Sequence, residues 1–378
     1  MSPEYEIFLS LVRLGTGHSL PSSEAASLPE SIDWKTVRRM AKRHSLSAVV
    51  FDGMDSLMKA GLLTGGRAID EEFRMKWVLS VIRNYDQKYD RYGEAVSNLA
   101  DFYDRNGFGM MVLKGYGLSL DWPIPCHRPS GDIDIWQFGR HREADASLTR
   151  ELGIAVDDTH HHHTVFEYEG FGVENHFDFV NTHSHVSNAR IEKLFKSLAQ
   201  DGSNSVEICG RQVCVPSAKL HSLFLIRHCL CHFVAEGITL RQVMDWGFFV
   251  EKHGAEIDPA WFREMTDKYY MTRFTACLDA VCVQHLGFGK APFAALLPDG
   301  RNASDPLEVD PELLLRVLED ILSQGTVKHL PDKLIPRVLY KLRRWHQNAW
   351  KHRLCYRESR LGTFITGIWS HILKPSSI

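Results

Sequence analysis

Apolar residues recur at intervals of three and four along the first part of the chain. The stretches "WKTVRRMAKRHSLSAVVFDGMDSLMKAG" and "DEEFRMKWVLSVIRNYDQKYDRYGEAVSNLADFYDRNG" show this spacing and end at Gly61 and Gly107. Such spacing puts the apolar side chains on one face of a helix, and glycine commonly follows the last helical turn. The pattern predicts an N-terminal helical region over residues 1–107.

After Gly107 the period of the pattern changes. The run "FGMMVLKG" is short and apolar, and "GDIDIWQF" alternates with period two, as strands do. A helical stretch, "HREADASLTRELG", is followed by "HTVFEYEGFGVENHFDFV", which predicts two strands around a turn at residues 169–172. The segments "SVEIC" and "QVCV" predict two more strands, joined by Gly210-Arg211. We therefore predict a mixed α/β core over residues 108–215.

Helical spacing returns beyond Pro216. It is present in "SAKLHSLFLIRHCLCHFVAEG", "RQVMDWGFFVEKHG", "DPAWFREMTDKYYMTRFTACLDAVCVQHLG" and "PELLLRVLEDIL". We predict a C-terminal helical region over residues 216–378. The fold class is then α+β, with a small mixed β-sheet core between two helical regions.

The composition is that of a globular protein, since 44% of the 378 residues are hydrophobic. Lysine and arginine number 44 against 47 acidic residues, a balance that neither demands a polyanionic partner nor excludes a local basic site. Eight scattered cysteines without a CxxC pair indicate reduced thiols. Neither a membrane span nor a secretory signal is predicted, so we expect a cytoplasmic protein.

The segment "RPSGDIDIW" places two carboxylates, those of Asp132 and Asp134, in a predicted strand. Side chains alternate along a strand, so both point to one face with Cα atoms about 6.5–7 Å apart. Crowded carboxylates are costly without a cation, and paired divalent ions serve phosphoryl chemistry. Because the ligands are oxygens, the pair predicts Mg²⁺ or Mn²⁺.

A third carboxylate is expected from the segment "GVENHFDFV". Alternation puts Glu174, His176 and Asp178 on one face, with Asn175 on the other. Glu174 is the first choice for a metal ligand, and Asp178 is the reserve. His176 is either a partner of a carboxylate, a proton acceptor or a packing residue. The alternative is that both segments form the polar outer face of a half-exposed sheet.

An anion site is predicted upstream, in "VLKGYGLSLDWPIPCHRPSGDID". Here a strand ends in Lys114-Gly115, a short helix follows, and a loop containing proline carries Arg128 to the aspartates. Glycine lets backbone N–H groups approach a phosphate, and Lys114 and Arg128 add positive charge.

These residues resemble an uncharacterised nucleotidyltransferase family of bacteria, a branch of the DNA polymerase beta nucleotidyltransferase superfamily. Its members carry "LKG", "R…DiDi" and "vElH" in this order, which match Leu113–Gly115, Arg128, Gly131–Asp134 and Val173–His176. The resemblance covers most of residues 30–250. One departure from the superfamily pattern is that no serine follows Gly115 and the interval to Asp132 is longer than usual.

The resemblance implies transfer of a nucleoside monophosphate from an NTP, ATP included, to an acceptor hydroxyl, with release of pyrophosphate. Asp132, Asp134 and Glu174 would hold Mg²⁺ or Mn²⁺, and Lys114, Gly115 and Arg128 would hold the nucleotide. The acceptor could be a small molecule, a protein or an RNA end. The alternative is a catalytically inactive nucleotidyltransferase fold that binds RNA or a protein partner.

Four residues of the predicted C-terminal helices are further candidates for the acceptor pocket: His228, His232, Arg241 and Asp245. His228 and His232 have the i, i+4 spacing of zinc helices but lack the glutamate of HExxH, so a packed helix is the default. Arg241 and Asp245, also four apart, could simply pair with each other. For the histidine run at residues 160–163, we expect a solvated loop.

The segment from Tyr340 onwards is strongly basic. It contains eight basic residues and a single acid, Glu358. The basic residues are Lys341, Arg343, Arg344, Lys351, Arg353, Arg357, Arg360 and Lys374. Three tryptophans lie among them: Trp345, Trp350 and Trp369. Such a segment can bind RNA or lie on an anionic membrane, although a helix that covers the core is commoner.

Overall fold

The computed structural model describes residues 2–20, 28–183, 185–296, 309–323 and 334–363. By their contacts, the described residues fall into two units. One unit combines Met1–Ile82 with His228–Arg357, and the other combines Arg83–Arg227 with Glu358–Ile378.

Helices and strands follow one another along the chain in three groups. Before the sheet, the helices are α1 (Pro3–Gly15), α2 (Trp34–Arg43), α3 (Ser47–Lys59), α4 (Glu71–Val81) and α5 (Gln87–Arg105). The sheet region contains β1 (Met111–Val112), α6 (Tyr116–Ser119), β2 (Ile133–Trp136), α7 (His141–Leu152), β3 (His163–Tyr168), β4 (Phe171–His176), α8 (Val186–Asp201), β5 (Ser203–Ile208) and β6 (Arg211–Pro216). After it come α9 (Ala218–Ala235), α10 (Leu240–His253), α11 (Pro259–Lys268), α12 (Thr272–Ala280), α13 (Lys290–Ala295), α14 (Pro311–Ser323), α15 (Leu334–Gln347) and α16 (Ala349–Cys355).

The six strands form one mixed sheet in the order β3-β4-β2-β1-β6-β5. β2 pairs with β4 in parallel and with β1 in antiparallel fashion, while β1 and β6 are parallel. Two hairpins, β3-β4 and β5-β6, close the edges. The α+β class and the mixed sheet predicted from the sequence are therefore confirmed.

Both hairpins turn through two residues with positive φ, as the tight turns that match strand twist require. Glu169 and Gly170 have φ values of 48° and 80°, and Cys209 and Gly210 have 48° and 79°. The second turn thus lies one residue earlier than the Gly210-Arg211 turn predicted from the sequence, because Arg211 already pairs with Ile208.

One face of the sheet carries the apolar core of its unit. Ile133 and Ile135 of β2 and Val173 of β4 are fully buried, together with residues of α5 and α7 such as Leu99 and Leu148. Because side chains alternate, burying these residues on one face directs Asp134 and Glu174 to the other. The core therefore fixes which face carries the carboxylates.

The helical unit is packed closely from its first helix. A Cβ added to Gly53 of α3 would collide with the Leu11 carbonyl oxygen of α1, and one added to Gly15 would meet the Val49 carbonyl oxygen. Glycine at both positions lets the two backbones approach each other.

Among the described helices, none combines the length and the apolar character of a membrane span. The boundaries that the sequence predicts between the helical regions and the α/β core, near residues 107 and 215, stay a prediction.

Candidate active site

The sheet register brings carboxylates from two neighbouring strands together. In the parallel pair β2-β4, Asp134 lies opposite Glu174 and Trp136 lies opposite His176. Asp134 is 7% exposed, and the Glu174 side chain is 31% exposed. Asp134, Glu174 and His176 each offer one ligand atom within 4.8 Å of the other two. The sheet register thus brings Asp134 next to Glu174, the first choice for the third carboxylate.

Asp134 lies between two basic groups. Lys114 Nζ is 2.6 Å from Asp134 Oδ1, and His176 Nε2 is 3.2 Å from the same oxygen. His176 Nε2 is also 3.5 Å from Glu174 Oε2. His176 therefore bridges the two carboxylates, as a partner of both.

Ionisation in this cluster follows from burial and these contacts. Burial opposes the charge on Asp134, but Lys114 and His176 outweigh it and hold the pKa of Asp134 well below its usual range. Burial also opposes the charge on Glu174, yet the His176 hydrogen bond lowers the pKa of Glu174. Burial likewise disfavours the His176 imidazolium, but Asp134 and Glu174 raise the pKa of His176. Both acids are thus anionic beside a protonatable imidazole.

Asp132 differs from Asp134 because it lies just before β2 and is more exposed than Asp134, although its carboxylate is partly removed from water. Its pKa is raised, first by partial burial and then by the charges of Glu174 and Asp134. A Cβ added to Gly172 of β4 would come within 2.9 Å of Asp132 Oδ1. Three carboxylates therefore share one side of β2 and β4, and repulsion from the other two adds to the effect of burial in raising the pKa of Asp132.

Gly115 occupies a backbone conformation that other residues avoid, with φ 58° and ψ −117°. A side chain there would collide with the Tyr92 hydroxyl, which donates a 2.8 Å hydrogen bond to the Asp132 carbonyl oxygen. The lack of a side chain at Gly115 thus allows the turn into α6 to approach the loop that carries Asp132. Arg128 follows a 3₁₀ turn, Pro125–His127, and is 3% exposed.

Asp178, the reserve metal ligand, is not in the group of side chains that brings ligand atoms within 4.8 Å of Asp134 and Glu174 in the described part of the chain, and its role stays a prediction. β4 ends at His176, and bends follow, so the alternation does not extend to Asp178. The Asp178 carboxylate instead forms an ion pair with Lys196 of α8. Its backbone oxygen is 3.3 Å from His176 Nδ1.

A cavity of about 320 Å³ lies next to this end of β2. Its walls are mainly aromatic, with an ion-paired lysine and aspartate among them: Trp136, Phe138, Gly139, His141, Phe177, Asp178, Lys196 and Gln200. Trp136 is two residues beyond Asp134 on the same face of β2, which puts their Cα atoms about 6.5–7 Å apart. The cavity therefore adjoins the carboxylates.

The histidine run leads directly into the sheet, so the expected solvated loop is wrong at His163. β3 begins at His163, which lies opposite His176 and is 8% exposed. The His162 ring centroid is 4.4 Å from that of His163 and 5.6 Å from that of His176. Sequence reasoning missed these two side chains, although the hairpin register between "HTVFEY" and "FGVENH" contained the signal.

On the opposite face, Asn175 donates a hydrogen bond of 2.8 Å to Asp145 of α7. Thr164 donates another, also of 2.8 Å, to the same buried carboxylate. The prediction that Asn175 faces away from the carboxylates of Asp134 and Glu174 is thus confirmed by its partner.

The remaining candidates belong to the helical unit. His228 and His232 contact each other, with 3.2 Å between their Nε2 atoms, and His232 Nδ1 lies 2.6 Å from Glu236 Oε1. Within the described ranges, no group of three metal-ligating side chains includes this pair. Arg241 Nη1 is 3.7 Å from Asp245 Oδ2, so these two residues do pair.

Much of the described basic segment packs within its own unit. Lys351 is 2% exposed, forms a 2.6 Å ion pair with Asp320 and lies over the Phe233 ring. Trp350 stacks edge-on against Phe233 and under Arg316. Lys351 and Trp350 therefore pack against the core of this unit, and RNA binding by the segment stays a prediction. Trp369, Lys374 and the Lys341 side chain lie outside the described residues.

A family model described as "Uncharacterised nucleotidyltransferase" matches residues 30–287 of the chain. Among solved structures, the chain is similar to an antigenic nucleotidyltransferase-like protein from Paracoccidioides brasiliensis, at 15% sequence identity and a TM-score of 0.32. That similarity covers 43% of this chain and 76% of the other. None of the curated proteins matches the chain.

Proposed function

The chain belongs to the uncharacterised nucleotidyltransferase family, and from this premise we propose that it transfers an NMP from an NTP to an acceptor hydroxyl. The acceptor oxygen attacks the α-phosphorus, and the bond from that phosphorus to the oxygen bridging to the β-phosphate breaks. The electron pair leaves with pyrophosphate, and the hydroxyl proton is released to solvent. The acceptor class is a small molecule, a protein side chain or an RNA end.

A single observation carries this proposal, namely the convergence of three carboxylates on one side of two adjacent strands. Asp134 and Glu174 lie opposite each other in the register. Burial raises the pKa of Asp132, and the charges of Glu174 and Asp134 raise it further. A purely structural polar face would not need three anions within mutual range, because each repels the others. Their convergence supports a site for divalent cations.

The donor set fits divalent Mg²⁺ or Mn²⁺, since Asp132, Asp134 and Glu174 offer oxygen atoms. Gly172 adds to the fit, because the lack of a side chain there leaves space beside Asp132 Oδ1. When bound, such ions would neutralise phosphate charge and favour the deprotonated acceptor hydroxyl. The chain's own contribution is to hold Asp134 and Glu174 on paired strands, with Asp132 directly before β2, before substrate arrives.

Lys114 and Arg128 would bind the phosphates of the NTP. Lys114 now neutralises Asp134, so we infer that it exchanges this carboxylate for a phosphate oxygen when the nucleotide binds with its cation. The turn at Gly115 would bring backbone N–H groups close to the phosphates. The acceptor would enter from the aromatic cavity at Trp136, which adjoins Asp134.

The test is to incubate the full chain with each of the four NTPs, labelled at the α-phosphate, and with Mg²⁺ or Mn²⁺. The incubations are run alone and with cell extract, and pyrophosphate release is measured in parallel. We expect metal-dependent transfer of label, abolished in Asp132→Asn and Glu174→Gln. Glu207→Gln is the matched control, because Glu207 is an exposed acid on the edge strand β5.

Absence of label transfer and of nucleotide binding under every condition would refute the proposal. The rival function is an inactive fold that binds a partner. It is favoured if Asp132→Asn and Asp134→Asn fold normally and still complement a deletion strain. Because Asp134 neutralises Lys114, folding of Asp134→Asn must be checked by circular dichroism before that comparison.

A further inference from the structure

Three imidazole rings converge at the start of the β3-β4 hairpin. His162, His163 and His176 each offer one ring nitrogen within 4.8 Å of the other two. Their ring centroids are 4.4 Å (His162 to His163), 5.6 Å (His162 to His176) and 5.3 Å (His163 to His176) apart. The register explains the arrangement, because His163 lies directly opposite His176 and His162 precedes it.

Two of these rings carry buried polar atoms that lack a hydrogen bond. Within the part of the chain that the structure describes, neither His162 Nδ1 nor His163 Nδ1 has a hydrogen-bond partner. Leaving a buried nitrogen unsatisfied costs about 1–3 kcal/mol. Two such atoms side by side are uncommon in packing clusters and point to a ligand that would use ring nitrogens at this place.

A histidine binds a metal ion through a ring nitrogen that carries no proton. His176 already uses both of its ring nitrogens, because Nε2 lies 3.2 Å from Asp134 Oδ1 and Nδ1 lies 3.3 Å from the Asp178 carbonyl oxygen. A metal ion at the three rings would therefore replace one of these two contacts of His176.

The spacing of the rings also suits a transition metal. A tetrahedral zinc ion with Zn–N bonds of about 2 Å separates the centroids of its imidazole ligands by roughly 5 Å. The three observed separations bracket that value. Imidazole donors select zinc, cobalt or nickel over magnesium, whose ligands are oxygens.

We propose that His162, His163 and His176 form a binding site for a divalent transition metal of the zinc class, beside the carboxylate site and different from it in metal preference. Three protein ligands leave a fourth coordination position open, as in zinc sites that bind a substrate atom or water. His176 belongs to both clusters, since it also contacts Asp134 and Glu174. Binding of a transition metal at these rings does not require the transfer reaction.

The test uses full-length protein stripped of metal with a chelator and then titrated with Zn²⁺ or Co²⁺ alone. Isothermal calorimetry gives the affinity, and the visible absorption of bound Co²⁺ reports a tetrahedral site with nitrogen ligands. We expect His162→Gln and His163→Gln each to weaken Zn²⁺ binding by about tenfold or more. The control is His183→Gln, because His183 is exposed and outside the group of three.

Unchanged Zn²⁺ affinity in both variants, relative to His183→Gln, would overturn the proposal. His163 begins β3, so its replacement can disturb the strand, whereas His162 precedes the strand and provides the second variant. Circular dichroism without metal establishes that each variant folds. A rise in melting temperature on adding Zn²⁺, present in the wild type and absent in His162→Gln, is the expected second readout.

Asp132→Asn separates this site from the proposed transferase. We expect that variant to lose NTP turnover and to keep Zn²⁺ affinity, because Asp132 is not one of the three ligands. Loss of Zn²⁺ binding in Asp132→Asn would place the metal at the carboxylates and overturn the histidine site. Zn²⁺ binding by a wild-type chain that transfers no label would leave the histidine site intact and remove the transferase.

Discussion

The Lys114 ammonium lies 2.6 Å from the Asp134 carboxylate. Lys114 therefore already neutralises the charge of Asp134, one of the proposed metal ligands. The side chains are only 16% and 10% exposed. A divalent ion must therefore compete with Lys114 for Asp134, unless a phosphate takes the lysine at the same time. Metal and nucleotide are then expected to bind together rather than in sequence.

Lys114→Met should strengthen the binding of Mn²⁺ and weaken the binding of the NTP. Without nucleotide, Mn²⁺ binding should strengthen, because its competitor at Asp134 is gone. NTP binding in the presence of Mn²⁺ should weaken by about 1.5–3 kcal/mol, the usual loss for a hydrogen bond to a charged group. Calorimetric titrations measure both, with Lys193→Met as the control, since Lys193 is an exposed residue of α8. Weakening of both affinities would show that Lys114 serves only to hold the fold.

Gly115→Ala should destabilise the protein by about 2–4 kcal/mol, because strain at φ 58° adds to the collision with the Tyr92 hydroxyl. Gly107→Ala is the matched control. Gly107 also has a positive φ, of 74°, but no atom lies within 4 Å of an added Cβ. Its replacement should cost only about 1 kcal/mol.

Urea unfolding of the double variant Gly115→Ala/Tyr92→Phe isolates the steric part of this effect. Removing the hydroxyl makes space for the new methyl group, so the double variant should recover part of the loss seen in Gly115→Ala. Additive losses from the two single changes would mean that the hydroxyl is not what excludes a side chain at Gly115.

Asn175→Leu should lower stability without affecting the proposed metal site. The change removes one of the hydrogen bonds that satisfy the buried Asp145 carboxylate, at a cost of about 1–3 kcal/mol. Asn175 lies on the face opposite Glu174, so Mn²⁺ affinity should stay at the wild-type value. Urea unfolding and calorimetry on the same preparation test both statements. Weaker Mn²⁺ binding with unchanged stability would contradict the assigned faces.

Period-two alternation was enough to predict β2 and β4 and to place Asp134 and Glu174 on a common face. Alternation is local, because each residue's side depends only on its distance along the strand. The end of a strand is not encoded in the same way. The alternation of polar and apolar residues continues in "NHFDFV". However, β4 ends at His176, and the Asp178 carboxylate forms an ion pair with Lys196.

Contacts between distant segments could not be predicted from the pattern. Lys114 and Asp134 are 20 positions apart, and their ion pair depends on the path of the intervening loop. His162 and His163 are drawn into the site by the hairpin register, which is fixed by the two-residue turn at Glu169-Gly170. Register joins residues that the linear sequence separates, and it requires the turn to be placed correctly to the residue.

Asp279, in the helical unit, should make the stability of the protein depend on pH. Its carboxylate is 2% exposed and accepts a 2.7 Å hydrogen bond from Trp246 Nε1. Burial raises the pKa of Asp279 from 3.8 to about 7. The thiols that face it, Cys277 and Cys282, also have raised pKa values and stay neutral over this range.

Between these two pKa values the unfolded chain has lost the Asp279 proton and the folded chain has kept it, so unfolding releases a proton. The stability contributed by Asp279 is therefore complete below about pH 4 and is lost as the pH rises towards about 7. Asp279→Asn keeps an acceptor for Trp246 but cannot titrate. Its stability relative to the wild type should rise by roughly 2 kcal/mol from about pH 5 to about pH 8. Urea unfolding at both pH values measures this, with the exposed Glu264→Gln as the control. An equal difference at both pH values would show that Asp279 ionises in the folded protein as it does in the unfolded chain.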